Sequence, residues 1–222
     1  MTERKGGFVY MIESPSSEDL LDGRSEGRVL IESLRLAEIP AWYSLATTRE
    51  ALETSLKERL IKALTEIPDK WPILHISSHG NNDGIGLSNG EFISWEELRS
   101  LLSELVNGME GGLLICISAC VGTSAMRMAM NREDEHTFWA LVGNHEDAEW
   151  SDAAIAFSTF YHNFLKLKRT IEDSVRAMRI ASGDQNFQEY FGHNIKDDWY
   201  KFMEQQDAKL VSNLSDHFTN PP

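Results

Sequence analysis

Short apolar runs alternate with amphipathic stretches along most of this chain. Phe8–Ile12, Trp42–Ala46, Ile73–Ser77, Leu113–Ser118 and Phe138–Val142 are brief apolar runs bounded by small or polar residues. Such runs predict buried strands. Between them, apolar residues recur at helical spacing. They are Leu30, Ile31, Leu34 and Ala37, then Leu52, Leu56, Leu60, Ala63, Leu64 and Ile67, then Leu98, Leu101, Leu102 and Leu105. Two more stripes follow the fifth run: Phe157, Phe160, Tyr161 and Phe164, and Ile171, Val175, Met178 and Ala181. Thr47 with Glu50, Ser94 with Glu97 and Thr170 with Asp173 have the spacing of helix-opening boxes. Pro40, Pro68 and Gly108 stand where helices should stop.

Three stretches are less regular. Glu13 to Gly23 reads as a polar loop, and residues 122–132 form a poorly patterned helix carrying Met126, Met128 and Met130. Periodicity fades after Gly183, where Phe187, Tyr190, Phe191, Trp199, Tyr200 and Phe202 indicate a packed segment. The reading is therefore one domain over residues 1–185, with a C-terminal extension, 186–222, packed on it and a loose end from Ser215 to Pro222. Strand alternating with helix predicts an α/β fold, a three-layer sandwich with a mostly parallel central sheet. Such sheets bind ligands beyond the carboxyl ends of their strands.

Two of the predicted strands end in reactive residues. Ile73–Ser77 runs into Ser78-His79-Gly80, and Leu113–Ser118 runs into Ala119-Cys120-Val121-Gly122. Side by side and parallel, they would bring an imidazole to a thiol. A neighbouring base raises the thiolate fraction, and the thiolate is the attacking species.

Bulk properties narrow the function classes. The chain has 222 residues, 41% hydrophobic and 25% charged, as expected of a globular domain with a sizeable core. Its formal net charge of −14 argues against non-specific nucleic-acid binding. The two cysteines, Cys116 and Cys120, are too far apart along an extended chain for an easy disulfide. A reducing compartment, the cytoplasm, is the simpler expectation. The five-residue apolar run after the polar amino terminus is too short for a signal-peptide core or a membrane span.

These residues resemble caspase-like cysteine peptidases, the CHAT peptidases of bacteria in particular. The resemblance rests on Ser78-His79-Gly80, on Gly86-Leu87 and Gly90, and on Ser118-Ala119-Cys120-Val121-Gly122. Trp150-Ser151-Asp152-Ala153-Ala154 leading to Phe157 and Phe160-Tyr161 is similar to the helix after the fifth strand of CHAT domains, and Gly23-Arg24 to the first βαβ unit of caspases. Together these cover residues 8–182. The resemblance implies a caspase-hemoglobinase-like fold and a regulated effector endopeptidase acting on a protein or peptide substrate. Cys120 would be the nucleophile, His79 the base, and the backbone N–H groups of Gly80 and Cys120 the oxyanion hole.

Substrate preference stays open. Relatives that cleave after Arg or Lys often carry Asp where Ser118 stands. Asp147, Glu149 and Asp152 could supply acidity, whereas Arg24 sits where caspases keep an arginine that holds an acidic substrate side chain. No cofactor and no metal are expected, because His145 with Glu146, Asp147 and Glu149 fits no established zinc spacing. The glycine-rich stretch after His79 lacks the Gly-Lys-Ser/Thr ending of a phosphate loop. Expected partners are the substrate and a regulatory protein, with neither nucleic acid nor membrane. The competing readings are a non-catalytic interaction module of the same fold and a flavodoxin- or TIR-like signal-binding domain.

Overall fold

The computed structural model describes residues 6–107, 112–132 and 137–219. Its central sheet grows from the apolar runs. Strand β1 (Gly7–Ser14) pairs in parallel with β2 (Ala41–Leu45) on one side and β3 (Trp71–Asn81) on the other. Next come β6 (Leu114–Ser118) and β7 (Ala140–Asn144), both parallel, and then β8 (Phe187–Phe191), antiparallel. The order is β2-β1-β3-β6-β7-β8, so the chain reverses its direction of growth between β1 and β3. The strands β4 (Gly84–Gly86) and β5 (Phe92–Ser94) form a small antiparallel extension on the end of β3.

Side-chain alternation divides the core in two. Phe8, Tyr10, Ile12, Leu74, Ile76, Ile115 and Ile117 face one side of the sheet. There they meet α3 (Arg49–Thr54), its π-helical continuation Ser55–Arg59, α4 (Leu60–Glu66) and α5 (Trp95–Asn107). Val9, Met11, Ile73, Leu114, Cys116, Ala140 and Val142 face the other, under α2 (Glu26–Leu36), α6 (Trp150–Tyr161) and α7 (Ile171–Ser182). The expected three-layer α/β architecture with a mostly parallel sheet is present.

Several local expectations shift. Ser94 with Glu97 and Thr170 with Asp173 open helices as read. The box expected at Thr47 moves by one residue, and Thr48 accepts from the Ala51 N–H instead. The strand of the first active run does not stop at Ser77 but continues through His79 to Asn81, because β4 extends the ladder. Residues Gly122–Ala129 form a 3-10 helix. The extension expected to pack on the domain supplies β8 to the sheet and then α8 (Gly192–Thr219). That helix takes in much of the expected loose end; residues 220–222 and the proposed stop at Gly108 lie outside the described residues.

Phe157 links these layers. It is fully buried, with its ring edge-on to His75 of β3 and to Phe187 of β8. Phe157→Ala should therefore cost about 3–5 kcal/mol of stability, measurable as a lowered midpoint in chemical denaturation.

Candidate active site

The register of β3 against β6 aligns Ser77 with Ser118. His79 and Cys120 each follow two residues later, at the carboxyl ends of neighbouring strands about 4.8 Å apart. A cleft of about 270 Å³ opens there. Its walls include Asp19, Arg24, Ser78, His79, Ser118, Cys120, Glu149 and Trp150.

The loop expected at Glu13 to Gly23 contains a short helix, α1 (Ser17–Leu21). Ser16 caps it: the Asp19 N–H donates to Ser16 Oγ at 3.0 Å, and the Ser16 hydroxyl donates to Asp19 Oδ2 at 2.6 Å. The same carboxylate oxygen lies 2.8 Å from His79 Nε2. The Asp19 side chain is only 7% exposed and that of His79 53%. A buried carboxylate thus anchors an accessible imidazole. Burial pushes the Asp19 carboxyl upward, but the Ser16 hydroxyl and then His79 outweigh it and leave it below its ordinary range. A neutral imidazole that donates Nε2–H to Asp19 carries its lone pair on Nδ1. Trp150, the first residue of α6, packs edge-on to the imidazole with ring centroids 5.5 Å apart.

Cys120 is partly exposed and sits at the start of a tight turn. Val121 has a φ of 52°, in the left-handed region that a β-branched side chain rarely adopts. The turn is held by the Gly122 N–H donating to Ala119 O and the Val121 N–H donating to Glu146 O. Gly80 lies against it. A Cβ there would come within 2.9 Å of Ala119 Cβ and 3.1 Å of Cys120 O, so glycine permits the backbones to approach. Beyond the turn, the Ser124 hydroxyl donates to Asn82 Oδ1 and Arg127 pairs with Asp83 at 2.9 Å. The segments following His79 and Cys120 are therefore tied together.

Beneath the cleft is a buried polar network. Ser77 donates to Glu26 Oε2 at 2.6 Å, and Ser118 donates to both Glu26 oxygens at 2.9 and 2.7 Å. Burial raises the Glu26 carboxyl to about 7 against the two serine bonds, with a smaller push from Glu13. His75 Nε2 lies 4.0 Å from Glu26 Oε1, but burial lowers His75 to about 3, so it stays neutral and no ion pair forms. Its Nδ1 is 2.7 Å from the Tyr161 hydroxyl. Cys116 lies on the same network, its thiol pushed up to about 12 by burial.

The structure thus gathers His79, Gly80, Cys120, Arg24, Ser118 and Glu149 around one site, and leaves Asp147 and Asp152 off the cleft wall. The Ser118 hydroxyl is turned to Glu26. Arg24 is held by Asp19 at 3.4 Å and by Asp22. Sequence reasoning missed Asp19 and Glu26. For Asp19 the signal was present, since Ser16 and Asp19 have capping-box spacing. Among the described residues no cluster of His, Cys, Asp and Glu could hold a metal, and no helix is long and apolar enough to cross a membrane.

No protein-family model and no curated protein sequence matches the chain. Among solved structures it is similar to the complex of Porphyromonas gingivalis RgpB pro- and mature domains, at 15% identity and a TM-score of 0.47. The alignment covers 83% of this chain and 45% of that one, so the chain spans less than half of that chain's length.

The buried acid and imidazole give stability a pH signature. Glu26 has a folded pKa above its unfolded value, so its contribution is present below about pH 4.5 and is lost as pH rises toward 7. His75 has a lowered one, so its contribution is present above about pH 6.5 and is lost as pH falls toward 3. Glu26→Gln removes only the first effect. Relative to wild type, the variant should gain stability by up to about 3 kcal/mol between about pH 4.5 and 7. Guanidinium unfolding at several pH values measures this, and a pH-independent difference would contradict it.

Proposed function

We propose that this chain is a caspase-like cysteine endopeptidase. The observation that carries the reading is one cleft in which Cys120 and His79 stand on adjacent strand ends while Asp19 holds Nε2 of the imidazole. The sequence resemblance of the Ser78-His79-Gly80 and Ala119-Cys120 segments supports it.

The geometry fits acyl transfer. His79 Nδ1 takes the Cys120 proton, and Asp19 keeps the ring in that tautomer and stabilises the imidazolium that forms. The thiolate adds to the scissile carbonyl, and the backbone N–H groups of Gly80 and Cys120 are the donors assigned to the oxyanion. His79 then protonates the leaving amine, and water hydrolyses the thioester. Arg24 and Glu149, on the cleft wall, are the side chains assigned to substrate contact. Ser118 serves the floor of the site, and Asp147 and Asp152 could act only on more distant parts of a peptide. A regulatory protein partner and a cytoplasmic setting complete the reading.

A peptide-library cleavage screen tests it. Cys120→Ala should abolish cleavage while leaving the circular dichroism spectrum unchanged; activity surviving that change would overturn the assignment. Asp19→Asn should lower kcat on the order of 10²–10⁴-fold, because an amide can hold the wrong imidazole tautomer. Absence of any cleavage or covalent trapping of wild-type Cys120 would instead favour a non-catalytic interaction module.

A further inference from the structure

The two strands that carry the site are joined below it by one carboxyl group. Ser77 and Ser118 face each other across β3 and β6, both are buried, and both donate their hydroxyl protons to Glu26. Each lies two residues before a reactive side chain. Glu26 is the first residue of α2, where the positive end of the helix favours a negative charge.

Building on the peptidase reading, we propose that Glu26 is a positioning residue, a clamp that fixes the ends of β3 and β6 and so the approach of His79 to Cys120. Ionised, the carboxyl group accepts from both hydroxyls. Protonated, it carries a hydrogen of its own that must be accommodated. His75 Nε2 is buried, has no hydrogen-bond partner among the described residues and lies 4.0 Å from Oε1. Turning one oxygen toward that nitrogen weakens the hold on the serines. The other ionisable groups around this arrangement are Glu13 on β1, His75 on β3, Cys116 on β6 and Tyr161 on α6. Glu13 is occupied by the Ser25 and Tyr43 hydroxyls and the Gly27 N–H, and Tyr161 by His75 and Cys116, which leaves His75 Nε2 as the group that can answer Glu26. Burial raises Glu26 to about 7, so both forms of the clamp are populated near neutrality.

Alkylation of Cys120 by iodoacetamide, followed by mass spectrometry, tests the proposal without needing a substrate. Cys116 is fully buried and does not compete in the folded protein. Glu26→Gln imitates the protonated clamp. It should react at the wild-type rate near pH 5.5 and fall about tenfold behind above pH 7. Ser77→Ala combined with Ser118→Ala should show the same pH-dependent deficit, and serves if Glu26→Gln fails to fold. A folded Glu26→Gln protein that keeps pace with wild type at every pH, or lags equally at every pH, overturns the clamp. His79→Ala separates this from failure of the site itself. If His79→Ala slows alkylation while Glu26→Gln does not, the site stands and the clamp falls. If His79→Ala has no effect, the base assignment falls and the clamp with it.

Discussion

The parallel pairing of β3 with β6 is the constraint on which the site depends. Both strands are buried on both faces, with Leu74 and Ile117 in one core and Ile73 and Cys116 in the other. Because side chains alternate with a period of two, a slip of one residue would send every side chain of a strand to the opposite core. It would place apolar residues against Glu26 and turn His79 away from Asp19. The register is therefore fixed by burial along the whole strand. The pair at its end, Ser77 against Ser118, inherits that certainty.

The floor of the cleft is costly to build. Glu13, Asp19 and Glu26 are all buried, and each is met by a specific set of donors. Glu13 accepts from the Ser25 and Tyr43 hydroxyls and from the Gly27 N–H. Asp19 has Ser16 and His79, and Glu26 has the two strand serines. A set of apolar side chains would fill the same volume without desolvating three carboxyl groups. What the polar set adds is direction. Each carboxyl group points at defined partners: Asp19 at the imidazole, Glu26 at the strand ends, and Glu13 at the start of α2 and at β2. The left-handed Val121 belongs to the same economy of the fold, since its strained turn is held in place by Glu146 and Gly122 around Cys120.

Much of this was legible in the chain. Apolar runs marked the central strands, and the small residues after them marked where chemistry could sit. What escaped had physical reasons. Glu13 to Gly23 reads as a loop because a five-residue helix is too short to show periodicity, although Ser16 and Asp19 carried the cap. Glu26 resembles an ordinary acidic residue at a helix start, and only the tertiary fold shows that the start is buried. β8 reads Phe-Gln-Glu-Tyr-Phe at a sheet edge, with only Phe187 buried, so it shows neither the alternation nor the apolar run that marks a strand. Ser118 is a strand terminus in sequence, and its orientation is set by a residue 92 positions away.

The reversal of strand order between β1 and β3 also bears on which chemistry the cleft can host. In open α/β sheets this is where ligands bind, and nucleotide-binding versions fill it with a glycine-rich loop whose N–H groups cradle phosphate. Here the segment after β1 has one glycine, Gly23, and delivers the buried Asp19. A phosphate approaching this wall would meet a carboxylate that already engages His79 and Arg24, and a further carboxylate, Glu149, on the rim. The position that would bind an anion in a flavodoxin-like domain has become the support for an imidazole. That exchange of backbone donors for carboxylate acceptors, Asp19 of α1 and Glu149 before α6, suits an imidazole better than a phosphate.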